Sequence, residues 1–184
     1  SFVDGLLIIY KNANIDILYD DGTVYNITDF KNSNIINKTI NSIYINNNIA
    51  YLSTGFGTVV LDMEMLEIKN SYITGRNTLS TFLSKGILYT GTDEGIFRCD
   101  TTKNMLDRNN WEKVNSNIVS AFSELNNDLY ILIKDSDIKI LNTENNELKS
   151  IDKIKGNVYT NLYKNDNEII ATSLYDFESG MTGM

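Results

Sequence analysis

Short apolar runs, broken every few positions by polar or glycine-rich pairs, set the pattern of this chain. Asn41–Ile45 and Glu67–Ile73 read as short strands that mix polar with apolar and aromatic residues. Ile49–Ser53 and Thr58–Leu61 are richer in apolar residues. Asn46-Asn47-Asn48 and Gly55-Phe56-Gly57 fall between such runs, where tight turns are expected. β-Branched and aromatic residues fill the runs, which suits half-buried strands. No segment sustains an apolar stripe at helical spacing. Leu79, Phe82 and Leu83 could share one helical turn, but their place in the repeat described next predicts a strand.

The pattern repeats. Ile49–Asp62 reappears as Ile87–Asp100 and again as Asp128–Leu141, with an earlier copy around Ile8–Asp20 and a fifth starting at Glu168. Tyr10, Tyr51, Tyr89 and Tyr130 mark one position at steps of 41, 38 and 41 residues, and Ile170 follows after 40. A unit of about 40 residues with four short strands predicts a β-propeller blade. The fold class expected is therefore all-β, a propeller of four-stranded antiparallel blades. About four and a half blades are expected, near 1–40, 41–78, 79–117 and 118–157, with a half-blade at 158–177 and a loose tail at 178–184. An arc of this kind leaves an open edge, so further blades beyond Met184, or another chain, are expected to close it.

Composition narrows the chemistry. The 26 asparagines and 24 isoleucines fit turns and strands respectively. Lys plus Arg total 16 against 24 Asp plus Glu, a net charge of −8, which argues against nucleic acid as a partner. Histidine is absent, removing triads built on a His base, HExxH zinc sites and imidazole switches. The single Cys99 excludes an intrachain disulfide. The longest apolar run, Leu6–Tyr10, is far short of the roughly 20 residues of a membrane-spanning helix. No cofactor, metal site or catalytic group is expected.

Several residues still invite a site. Asp20-Asp21-Gly22 is read as a hairpin turn. Asp135-Ser136-Asp137 opens like a calcium loop but lacks its glycine and closing glutamate. The turns at Asn12–Asn14, Gly55–Gly57, Asp93–Gly95 and Asp135–Asp137 are equivalent in the repeat, and in a propeller such turns gather on one face. Asp93, Glu94, Asp135 and Asp137 are therefore the candidate ligand or partner face. Trp111 is read as packing between blades in preference to a sugar platform, the repeated tyrosines as packing, and Cys99 as a small buried residue. Lys38, Lys85, Lys103, Arg108 and Lys113 are dispersed.

Tyr89-Thr-Gly-Thr-Asp-Glu-Gly-Ile-Phe-Arg-Cys-Asp100 resembles the two-component-regulator propeller repeat of Bacteroidetes proteins, and Tyr51–Asp62 is a looser copy. Tyr10–Gly22, Lys38–Asn41, Ala50–Gly57 and Thr92–Ile96 resemble, more narrowly, the N-terminal propeller of PorZ-like proteins of the type IX (Por) secretion system. That resemblance implies a larger secreted protein with two propellers and a C-terminal sandwich domain. It implies a place on the outer-membrane surface beside the system's sortase, and handling of anionic lipopolysaccharide. The net charge of −8 means that contact with such a polysaccharide needs a local basic patch or another domain. The other reading is a periplasmic glycan-sensing propeller of a hybrid two-component system. A propeller enzyme such as a polysaccharide lyase fits poorly without histidine, although tyrosine or lysine bases remain open.

Overall fold

Two-residue turns fold each repeat onto itself. Lys85 and Gly86, like Asn126 and Asn127, both have positive φ, the geometry that matches the twist of a tight hairpin. In the computed structural model, which describes residues 5–151 and 158–174, these turns join strands into antiparallel meanders. The first sheet holds β1 (Gly5–Ile9), β2 (Ile15–Tyr19) and β3 (Val24–Ile27). The second holds β4 (Ile40–Asn46), β5 (Ile49–Thr54), β6 (Gly57–Asp62) and β7 (Glu67–Tyr72). The third holds β8 (Thr78–Ser84), β9 (Ile87–Thr92), β10 (Gly95–Asp100) and β11 (Glu112–Asn115). The fourth holds β12 (Val119–Leu125), β13 (Asp128–Ile133), β14 (Ile138–Leu141) and β15 (Leu148–Ser150), and β16 (Val158–Asn165) pairs with β17 (Glu168–Leu174) in the fifth.

The sheets are successive blades of a partial propeller. First strands β4, β8, β12 and β16 neighbour one another in turn, which places them innermost. Apolar layers fill the seams between blades. Ile15 and Ile17 share a core with Leu52 and Leu61, while Leu88, Phe97, Cys99 and Trp111 pack with Tyr51 and Tyr72. Tyr89 and Ile96 pack with Phe122 and Ile131, and Ala121 and Leu132 with Leu162. Burial of these side chains is the main force holding blade to blade. The all-β propeller expectation is thus met, including the strand at Thr78–Ser84.

Two details differ from the sequence pattern. The first unit shows three strands among the described residues, and the run after β3 forms a single helical turn, α1 (Asp29–Asn32), whose Phe30 is buried in the first seam. Tyr10 does not occupy the tyrosine position of the later repeats. Tyr51, Tyr89 and Tyr130 lie within second strands, cross-paired with Tyr44, Phe82 and Ser123. Tyr10 instead lies beyond the end of β1, exposed, and donates to Asp16 at 2.7 Å. The hairpin there is wider, with Ala13 at φ +61° tucked into the core, which shifts the phase of the repeat. The expected tail at 178–184 lies outside the described residues.

Candidate functional site

The turns between second and third strands are built by repeated local chemistry. Thr54 Oγ1 donates to the Gly57 carbonyl at 2.9 Å and accepts from the Phe56 N–H. Thr92 does the same with Gly95, at 2.9 Å, and with the Glu94 N–H. Gly57 and Gly95 have φ of +150° and +126°, and a Cβ on either would lie 2.0 or 2.2 Å from the carbonyl oxygen of Tyr72 or Asn115. Only glycine tolerates both the dihedral and that approach. The N–H groups of Gly55, Asp93 and Lys134 donate to the carbonyls of Thr39, Asn77 and Ile118. Each turn is thereby hooked to the residue preceding the first strand of its own blade.

On this frame the four sequence-derived candidates fall on two neighbouring blades. Asp93 is exposed in the β9–β10 turn. Glu94, beside it, is held by the Arg76 guanidinium at 2.8 Å, and Arg76 lies 4.0 Å above the ring of Phe97. Asp135, exposed at φ +56°, and half-buried Asp137 sit in the β13–β14 turn, where the Asp137 carbonyl accepts the Ile133 N–H at 2.9 Å. Among the described residues no group of three or more Asp, Glu or Cys side chains is placed to hold a metal ion. Arg76 and Phe97 were missed by sequence reasoning. No local signal marks them, since 18 residues separate Arg76 from Glu94 and Phe97 reads as an ordinary strand residue.

The other singled-out residues are structural in their contacts. Trp111 is 8% exposed, donates from Nε1 to the Met105 carbonyl at 2.9 Å and packs near Tyr72. Burial pushes the Tyr51, Tyr72 and Tyr89 phenols up. It also pushes up the Cys99 thiol. Asp62 and Asp100 cap the turns after third strands. Backbone N–H groups donating to these carboxylates, from Met65 and Glu64 to Asp62 and from Thr102 to Asp100, lower their pKa. On the opposite side of the blades from the acidic turns, a cavity of about 330 Å³ contains Lys85, Arg98, Lys103 and Glu112. Arg98 is already committed there, to Glu112, the Thr143 carbonyl and Asn146.

Four-stranded radial blades with hooked turns define a β-propeller domain, and solved structures agree. The extracellular domain of a putative hybrid two-component system from B. thetaiotaomicron superposes with a TM-score of 0.65 at 16% identity, covering 92% of this chain and 24% of that one. BamB from Moraxella catarrhalis gives 0.61 at 14% identity, covering 92% of this chain and 52% of that one. At such identities the likeness is one of fold. The family is more specific: residues 3–112 match the N-terminal β-propeller domain of PorZ, of the type IX secretion system, and the chain belongs to that family. PorZ of Porphyromonas gingivalis, described as an essential bacterial surface component of the type IX secretion system, matches with a TM-score of 0.75 at 25% identity over 86% of this chain. This chain spans 22% of the length of that one. No curated protein matches the sequence. No helix among the described residues is long and apolar enough to cross a membrane.

Proposed function

We propose that this propeller is a non-catalytic interaction module of a PorZ-like, exported protein on the outer-membrane surface, where it serves type IX secretion. Membership of the PorZ propeller family across more than half of the chain is the observation that carries this reading. The segment is one part of a larger propeller. Ile43 of β4 is 44% exposed, whereas its counterpart one blade on, Thr81, is 4% exposed and hydrogen-bonded to Ser53 and Thr58 of the preceding blade. At the other end Ile170 is 43% exposed, against 2% for its counterpart Tyr89. An inner strand completing the first sheet covers the one face and further blades of the same protein the other, with blade limits near residues 40, 78, 117 and 157.

Within that module, Asp93, Asp135 and Asp137, with Glu94 neutralised by Arg76, form an acidic partner face. A negative face attracts a basic protein surface and repels an anionic polysaccharide. The sortase of the system is the partner assigned to the module, and lipopolysaccharide is handled by other domains of the full-length protein. Deleting the gene in its native host tests the role. Secreted cargo should then accumulate in the periplasm and return to the medium on complementation. Unchanged cargo secretion in the deletion strain would remove the secretion role.

A further inference from the structure

The inner strands frame a second site at the opposite mouth of the propeller axis. Cross-strand pairing makes Tyr44, Phe82, Ser123 and Tyr163 equivalent, because they face Tyr51, Tyr89, Tyr130 and Ile170. The next position along each strand is Ile45, Leu83, Glu124 and Lys164, so two apolar residues are followed by a carboxylate and an ammonium. Tyr44, Asn46, Phe82, Ser123, Glu124 and Lys164 line one cavity of about 370 Å³, next to the turns that join first and second strands. That volume suits one small ligand.

Three observations point to an occupant. The Tyr44 and Phe82 rings lie side by side with centroids 4.6 Å apart, giving an apolar wall. Ser123 lines the cavity and its hydroxyl makes no hydrogen bond among the described residues, so a donor and acceptor open to the cavity is left for a ligand. Glu124 and Lys164 also make no ion pair with each other or with any other described residue. The Glu124 charge nonetheless reaches Tyr44, whose phenol it helps to push up after the larger effect of burial. Opposite charges on one wall of a half-open cavity complement a ligand carrying both, since each ligand charge then meets its opposite.

We propose that this axial cavity binds a free α-amino acid with an apolar side chain. The α-ammonium meets Glu124, the α-carboxylate meets Lys164 and Ser123, and the side chain lies on Tyr44 and Phe82. The site is independent of the acidic turn face and does not require the secretion role.

Calorimetric titration of the full-length protein tests it with three ligands of one skeleton: L-phenylalanine, phenethylamine and 3-phenylpropionate. L-Phenylalanine should bind at least about tenfold more tightly than either singly charged relative. Glu124→Gln should reduce its affinity to that of 3-phenylpropionate, and Lys164→Gln to that of phenethylamine, with melting temperatures unchanged. Equal affinity for all three ligands in the unmodified protein, or no saturable binding of L-phenylalanine, would overturn the proposal whatever the variants do.

Discussion

Gly91 of β9 lies against the carbonyl of Val119 at the start of β12, so closely that a Cβ on Gly91 would stand 2.2 Å from that oxygen. Ser80 Oγ donates to the same carbonyl at 3.0 Å and would lie 2.7 Å from the added carbon. One methyl group would therefore push two blades apart and break a buried hydrogen bond. Gly91→Ala should lower stability by about 1–3 kcal/mol. Urea unfolding followed by tryptophan fluorescence reads this directly, and an unchanged midpoint would show that the seam yields without cost.

Arg98 ties the third blade to the fourth through the Thr143 carbonyl and Asn146 Oδ1, both at 3.1 Å, while pairing with Glu112 at 3.0 Å. Arg98→Met keeps much of the side-chain packing and removes these bonds. A loss of about 1–2 kcal/mol is expected. Hydrogen exchange should quicken in the β14–β15 turn and stay unchanged in the β5–β6 turn. Equal protection in variant and parent would place the clip's strength in packing alone.

The Cys99 side chain is 1% exposed within the seam of Leu88, Phe97 and Trp111, and desolvation pushes its thiol up. A buried protonated thiol reacts slowly. The native protein should leave a thiol-specific disulfide reagent almost unconsumed at pH 8, and urea should expose one equivalent. Fast stoichiometric reaction of the native protein would mean that this seam opens readily.

Stability should be flat from about pH 6 to 9, because the chain has no histidine and its perturbed groups titrate outside that range. Asp16 is lowered mainly by the Asn26 amide, and Asp21, Asp62 and Asp100 mainly by backbone N–H groups. Their contribution is complete above the ordinary carboxylate value and is lost as pH falls through the lowered folded-state values. Tyr44, Tyr51, Tyr72 and Tyr89 are raised mainly by burial. Their contribution is complete below about pH 10 and is lost as pH rises through the raised folded-state values. Urea midpoints from pH 3 to 11 should trace a plateau with two falling sides; a step near pH 7 would contradict this assignment.

Much of the fold was legible because the same side chains recur at the same strand positions. Tyr51, Tyr89 and Tyr130 keep one register, so their spacing reports the blade. Tyr10 misled because the widened hairpin at Ala13 changes the phase locally, which composition does not reveal. The acidic turns were legible as equivalent positions. The Arg76–Glu94 pair needed three-dimensional placement, since 18 residues separate its members. The axial cavity was harder still, since its wall takes residues from four blades, and Ser123 or Lys164 alone has no distinguishing sequence context.

The central claim, a surface-exposed PorZ-like module serving secretion, is tested most directly by protease treatment of intact native cells carrying the full-length protein, with a periplasmic protein as control. Digestion of the protein while the control survives is the expected result. Protection until the outer membrane is breached would contradict surface exposure and favour a periplasmic sensor instead.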